Sequence, residues 1–127
     1  MQEKHLYEYA VLRVVPKVER EEFINVGLMI FCKRANYLRI QNHIPLEKIL
    51  SFDAAFDIEQ LKINLNSFSK ICLGKKDGGP VAVFDIAERF RWLSAVKSSS
   101  IQTSRPHSGI TFNLDATFDK LYNELVL

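Results

Sequence analysis

An apolar strand that carries an arginine constrains this chain more than any other feature. Residues 9–16 read Tyr-Ala-Val-Leu-Arg-Val-Val-Pro, and residues 24–31 read Ile-Asn-Val-Gly-Leu-Met-Ile-Phe. Both runs have the β-branched and aromatic content of strands. Side chains alternate along a strand, so Tyr9, Val11, Arg13 and Val15 share one face and Ala10, Leu12 and Val14 the other. Two mostly apolar faces predict a central strand over residues 8–15, ended by Pro16. Between the two runs stands Glu19-Arg20-Glu21-Glu22, which places a dense ionic stretch beside the sheet core.

The second strand is predicted over residues 24–33, with Gly27 marking a bulge or the close approach of another group. Strand spacing puts Asn25 and Gly27 on one face. A third strand over residues 37–41 follows a short link, which predicts an antiparallel hairpin. Helical periodicity then takes over. Ile58, Leu61, Leu65, Phe68 and Cys72 form one amphipathic stripe, with Asp57 and Gln60 as a capping pair and Gly74 as the stop. A second helix turns Val83, Ile86, Ala87, Phe90 and Leu93 inward, and a C-terminal one does so with Leu114, Phe118, Leu121, Tyr122 and Leu125. Residues 98–110 are polar and extended, with a short strand around 101–104. Strands first and helices after predict an α+β fold, a small antiparallel sheet of three to four strands with about three helices packed on one face.

The 127 residues suit a single domain spanning 1–127 with a sizeable core. A net charge of +2 is too balanced to argue for nucleic-acid binding, which is therefore not favoured. The N-terminal residues lack the apolar segment of a secretory signal, and no apolar run reaches membrane-spanning length. Cys32 and Cys72 sit within apolar patterns and read as buried thiols. The expected location is the cytoplasm, with no membrane association.

Four constellations carry candidate chemistry. A partly buried Arg13 requires carboxylate or anion partners. Glu19 and Glu22 are the nearest, so Arg13, Glu19 and Glu22 are expected as structural ion pairs. The competing reading is bidentate binding of a phosphate or carboxylate by Arg13. Glu19, Glu22 and Asn25 are positioned to line one polar pocket. In the segment 101–109, Gln102, Ser104, Arg105, His107 and Ser108 crowd hydrogen-bonding groups between turn residues. A histidine side chain has a reference pKa of about 6.5, which makes His107 the natural acid or base there. Arg89 and Trp92, three apart on a helix, form a packing pair of the kind found at protein interfaces. No spacing specifies a metal site, and no cofactor is implied. The loop 74–79 lacks the strand and the Gly-Lys-Ser/Thr of a P-loop.

The runs Tyr9-Ala-Val-Leu-Arg-Val-Val-Pro16, Glu19-Arg20-x-Glu22-Phe23-x-Asn25-Val26-Gly27, Glu88-Arg89-Phe90-x-Trp92-Leu93 and Ile101-Gln-x-Ser104-x-Pro106-His107-x-Gly109 resemble the bacterial domain-of-unknown-function family three-zero-three-seven. The resemblance covers nearly the whole chain in motif order and carries no established activity. It implies a partner, since such proteins are often encoded beside HipA-like kinases. It also implies a shared pocket among Arg13, Glu19, Arg20, Glu22, Asn25, Arg89, Gln102, Ser104 and His107.

The leading expectation is a non-catalytic binding or accessory module, a regulator or partner of a HipA-like kinase in a toxin–antitoxin or stress-response setting. A homo-oligomer is compatible with the same surfaces. The alternative is a small phosphate-ester hydrolase or nuclease-like enzyme. In it, His107 and Glu22 act as acid and base while Arg13, Arg20 and Arg89 bind the phosphate. On either reading the candidate ligand- or anion-binding residues are Arg13, Arg20, Asn25, Arg89, Gln102, Ser104 and His107.

Overall fold

The computed structural model describes residues 3–95 and 100–127. A long first strand, β1 (His5–Val14), pairs antiparallel with β2 (Ile24–Cys32), which pairs in turn with β3 (Tyr37–Asn42). The opposite side of β1 pairs with β4 (Ile101–Thr103) and then β5 (His107–Thr111). These two short strands follow one another along a single edge. Between them Ser104, Arg105 and Pro106 oppose only Ala10 and Val11, which inserts one extra residue. The α+β class and the central position of β1 are as the sequence predicts. The sheet has five strands rather than three to four, because the polar segment after residue 100 supplies two.

Helices cover both faces rather than one. The first layer contains α1 (Leu46–Phe52), α2 (Ile58–Cys72) and α3 (Ile86–Ser94). Their buried residues pack on Ala10, Leu12, Val14, Met29 and Phe31, with the rings of Phe31 and Phe90 stacked at 5.2 Å. The other face, with Val11, Leu28, Ile30 and Cys32, is closed by α4 (Leu114–Leu125) through Leu114, Phe118 and Tyr122. This division follows from the strands themselves: every residue of β2 except Asn25 is buried, so neither face can be left to water. Both cysteines are buried and free, one under each layer.

The predicted helix stripes and caps are present. Asp57 accepts from the backbone of Gln60 at 3.0 Å, and Asp85 and Asn113 cap α3 and α4 in the same way. At the end of α2, Gly74 adopts φ 67°, and the amides of Gly74 and Lys75 return to the carbonyls of Ile71 and Lys70. That pattern closes a helix where a residue can enter the left-handed region. Val83 does not point inward. It lies 79% exposed in a 3-10 turn, Pro80–Val83, ahead of α3, and Ala82 is the residue that turn buries.

The β1–β2 register contains the bulge that Gly27 signals. Leu12 faces Gly27, but Arg13 faces Asn25, which leaves Val26 as the extra residue. The extra residue reverses the alternation. Ile24 and Val26 pack with the α1–α3 layer, whereas Leu28, Ile30 and Cys32 pack with α4. Asn25 and Gly27 therefore lie on opposite faces, contrary to the simple strand count. A side chain at Gly27 would start 2.3 Å from Asn42 Oδ1, 3.2 Å from the Gln41 carbonyl and 3.3 Å from Leu12 Cβ.

Gly27→Ala is expected to destabilise the chain by about 2 kcal/mol through overpacking between β1 and β3. Urea denaturation would register this as a lower midpoint at unchanged slope.

Candidate functional site

The bulge creates a polar row across three strands. Arg13 on β1 is flanked by Asn25 on β2 and Gln102 on β4. Directly opposed residues project from the same face about 5 Å apart, so the three form a contiguous strip on the α4 side. Asn25 donates through Nδ2 to the Leu125 carbonyl at 2.9 Å, which fixes the last turn of α4 against the strip. The Arg13 guanidinium carbon stands 4.1 Å above the centre of the Phe23 ring. Arg13 Nε and Asn25 Oδ1 are buried and have no hydrogen-bond partner among the described residues.

Beside this strip is an open cleft of about 340 Å³ lined by Val15, Val18, Glu21, Phe23 and Gln102. The connection between β1 and β2 builds its wall. Pro16 ends the strand, a 3-10 turn runs over Val18–Arg20, and Glu21 at φ 57° redirects the chain into β2. The amides of Arg20 and Glu21 close the turn on the carbonyls of Lys17 and Val18, both at 3.1 Å. Two apolar side chains are thereby held half in water: Val18 is 50% and Phe23 49% exposed. The cleft combines an aromatic and an aliphatic surface with the Gln102 amide and the Glu21 carboxylate, and the Arg13 guanidinium stacks against the Phe23 ring beside it.

The ionic stretch pairs differently from expectation. Arg20 Nε bonds Glu22 Oε1, whereas Arg13 stacks on Phe23. None of the ion pairs among the described residues joins Arg13 to Glu19 or Glu22, and Glu19 is exposed on the 3-10 turn. Strand geometry explains this, because Arg13 projects on the face where Phe23 enters β2, while the glutamates lie out in the turn. The Arg20–Glu22 pair is solvent-facing and contributes little to stability.

The remaining candidates disperse. Ser104 is 5% exposed and fully engaged with β1: its Oγ accepts from Val11 N at 2.9 Å and its amide donates to the Val11 carbonyl at 2.8 Å. It bridges the break between β4 and β5. His107 is exposed, faces Tyr9 across the strands and stacks on it with ring centres 5.2 Å apart. Tyr9 and Arg13 are four residues apart on β1, so His107 lies roughly 13 Å from the Arg13 row. Glu22 sits beyond the Val14 end of β1, whereas His107 faces Tyr9 in its middle, and among the described residues neither lines the cleft beside Phe23.

Arg89 belongs to the other face. Its Nη1 lies 3.5 Å from the Ala82 carbonyl and fills the space a side chain at Gly74 would occupy. It therefore braces the end of α2 against the turn before α3. Burial pushes the nearby Cys72 thiol up to about 12, with the Arg89 charge pulling weakly the other way. That thiol is protonated and unreactive at neutral pH. Trp92 is 48% exposed and makes no ring contact with Arg89 among the described residues. No cluster of three or more His, Cys, Asp or Glu is placed to hold a metal ion among the described residues.

One polar cluster gives no local signal in the sequence. Tyr37 and Arg39 on β3 reach Asp115 on α4 at 2.8 and 3.1 Å, and Arg39 also reaches Asp119 at 3.3 Å. Arg39 lies 4.1 Å above the Phe118 ring. The partners are separated by at least 76 residues, and only the closure of α4 over the second face joins them. This clamp ties the edge strand to the helix.

The chain matches the family described as "Protein of unknown function (DUF3037)" over residues 9–126, and it belongs to that family. No curated protein and no solved structure matches it. Among the described residues no helix is long and apolar enough to cross a membrane.

Burial, reinforced by the Asp115 carboxylate, pushes the Tyr37 phenol from 10.0 up to about 12. The folded chain thus holds this proton more firmly than the unfolded chain does. Its stabilising contribution is complete below pH 10 and disappears as the pH rises through about 12. Urea stability measured across that range should fall less steeply in Tyr37→Phe than in the parent. Burial also raises Tyr7 and Tyr122, so the tyrosinate absorbance of the parent should rise late overall, and Tyr37→Phe should remove the component near 12.

Proposed function

We propose that this chain is a non-catalytic docking module whose cleft at Phe23, beside Arg13, receives a segment of a partner protein. The partner we propose is a HipA-like kinase, following the association that the family resemblance implies, in a toxin–antitoxin or stress-response setting. The observation that carries the reading is Phe23. Its ring is half exposed at the edge of a cleft, yet it is held in place by a guanidinium stacked at 4.1 Å. Aromatic and arginine side chains dominate binding energy at protein interfaces, and a pre-positioned ring loses little freedom on binding. Gln102 and Glu21 add a donor–acceptor fringe that fixes the register of a bound segment.

The test is co-expression with the kinase, followed by affinity measurement on the purified pair. Wild-type chain should co-elute with the kinase and change its activity. Phe23→Ala should weaken the complex at least about tenfold with the fold intact, as expected for an interface anchor. Clean separation of the wild-type proteins, or an unchanged affinity in the variant, would contradict the proposal.

A further inference from the structure

We infer a second docking surface, at the opposite end of β1 and on the opposite face of the sheet, that receives an acidic amphipathic helix of a partner protein. The α1–α3 layer does not cover its whole face. It stops near Glu8, where Arg91 of α3 comes within 3.9 Å of that carboxylate. Beyond that point Leu6 and Ile110 face each other across β1 and β5 and remain 67% and 66% exposed. A pair of large aliphatic side chains left bare on an inner sheet face is the place where another layer element would pack.

The floor is concave and its rim is basic. Two adjoining hollows, of about 350 and 220 Å³, share Leu6 and Lys33. Lys4, Lys33 and Arg34 surround the larger one, and Arg91 walls the smaller. Glu3 engages Arg34 at 3.3 Å and Glu8 lies near Arg91, but no carboxylate among the described residues pairs with Lys4 or Lys33. The charge left over is positive, so the complementary occupant carries carboxylates beside its apolar stripe. A second copy of this chain would bring the same cations to the contact. A membrane surface is flat, whereas these hollows suit protruding side chains.

The surface is independent of the cleft at Phe23. Leu6 and Arg13 are seven residues apart on β1, roughly 23 Å along the strand, and project to opposite faces. One chain therefore has room for two partners, or for two segments of one partner, at once.

The probe is a synthetic helical peptide with a leucine stripe flanked by glutamates, titrated calorimetrically into the intact chain beside a version with lysine at every glutamate position. The acidic peptide should bind and the lysine version should not. Lys33→Glu and Ile110→Ser should each weaken binding at least about tenfold, whereas Phe23→Ala should leave it unchanged. Both sites are exposed, and circular dichroism would verify that the variants fold. Three results would overturn the inference. They are failure of the acidic peptide to bind or equal binding to the variants, sedimentation of the chain alone as a dimer that Ile110→Ser dissociates, and binding to phosphatidylserine vesicles without binding to the peptide.

Discussion

The pairing of β1 with β2, with its single extra residue at Val26, is the constraint on which the rest of the structure depends. In an unbroken register Arg13 would face Val26, and Asn25 would project into the α1–α3 core, where an unpaired amide is costly. The bulge instead gives Val26 to that core and turns Asn25 to the α4 side, beside Arg13. One inserted residue thus packs the first layer, supplies the contact to the end of α4 and assembles the polar row.

Because β2 is apolar on both sides of the bulge, the sheet needs a cover on each face. Three helices meet the first demand and α4 the second. The Tyr37–Arg39–Asp115 cluster then holds α4 across the edge strand. Past the end of β1 the connection to β2 leaves Val18 and Phe23 half exposed, and at the start of β1 the cover is incomplete, with Leu6 and Ile110 bare. The first surface arises from the connection between β1 and β2, which holds Val18 and Phe23 half in water, and the second from the start of β1, which extends beyond the helices packed on it.

Much of the fold is legible in the sequence where periodicity is strong. The strands around Val11 and Ile30 and the stripes from Ile58 to Cys72 and from Leu114 to Leu125 lie where their spacing predicts. The helix α1 is not legible, because seven residues with Ile49 alone buried give no repeat and no capping side chain. The strand β5 is hidden by its composition, His-Ser-Gly-Ile-Thr, whose exposed residues reflect an edge position rather than a loop. A pattern that marks α4 as amphipathic cannot say which face of the sheet it closes. The site is legible in part for similar reasons. Alternation identifies Arg13, and turn chemistry draws attention to the segment containing Gln102. The partners of Arg13, the separate placement of Arg89 and the engagement of Ser104 with Val11 depend on strand register and layer assignment, which no local spacing encodes.

Interstrand proton contacts in solution report the β1–β2 register. Cross-strand nuclear Overhauser effects should connect Leu12 with Gly27 and Arg13 with Asn25, skipping Val26. Contacts from Arg13 to Val26 and from Val14 to Asn25 would show a continuous register. They would remove Asn25 from the Arg13 row and contradict the account of both the fold and the site.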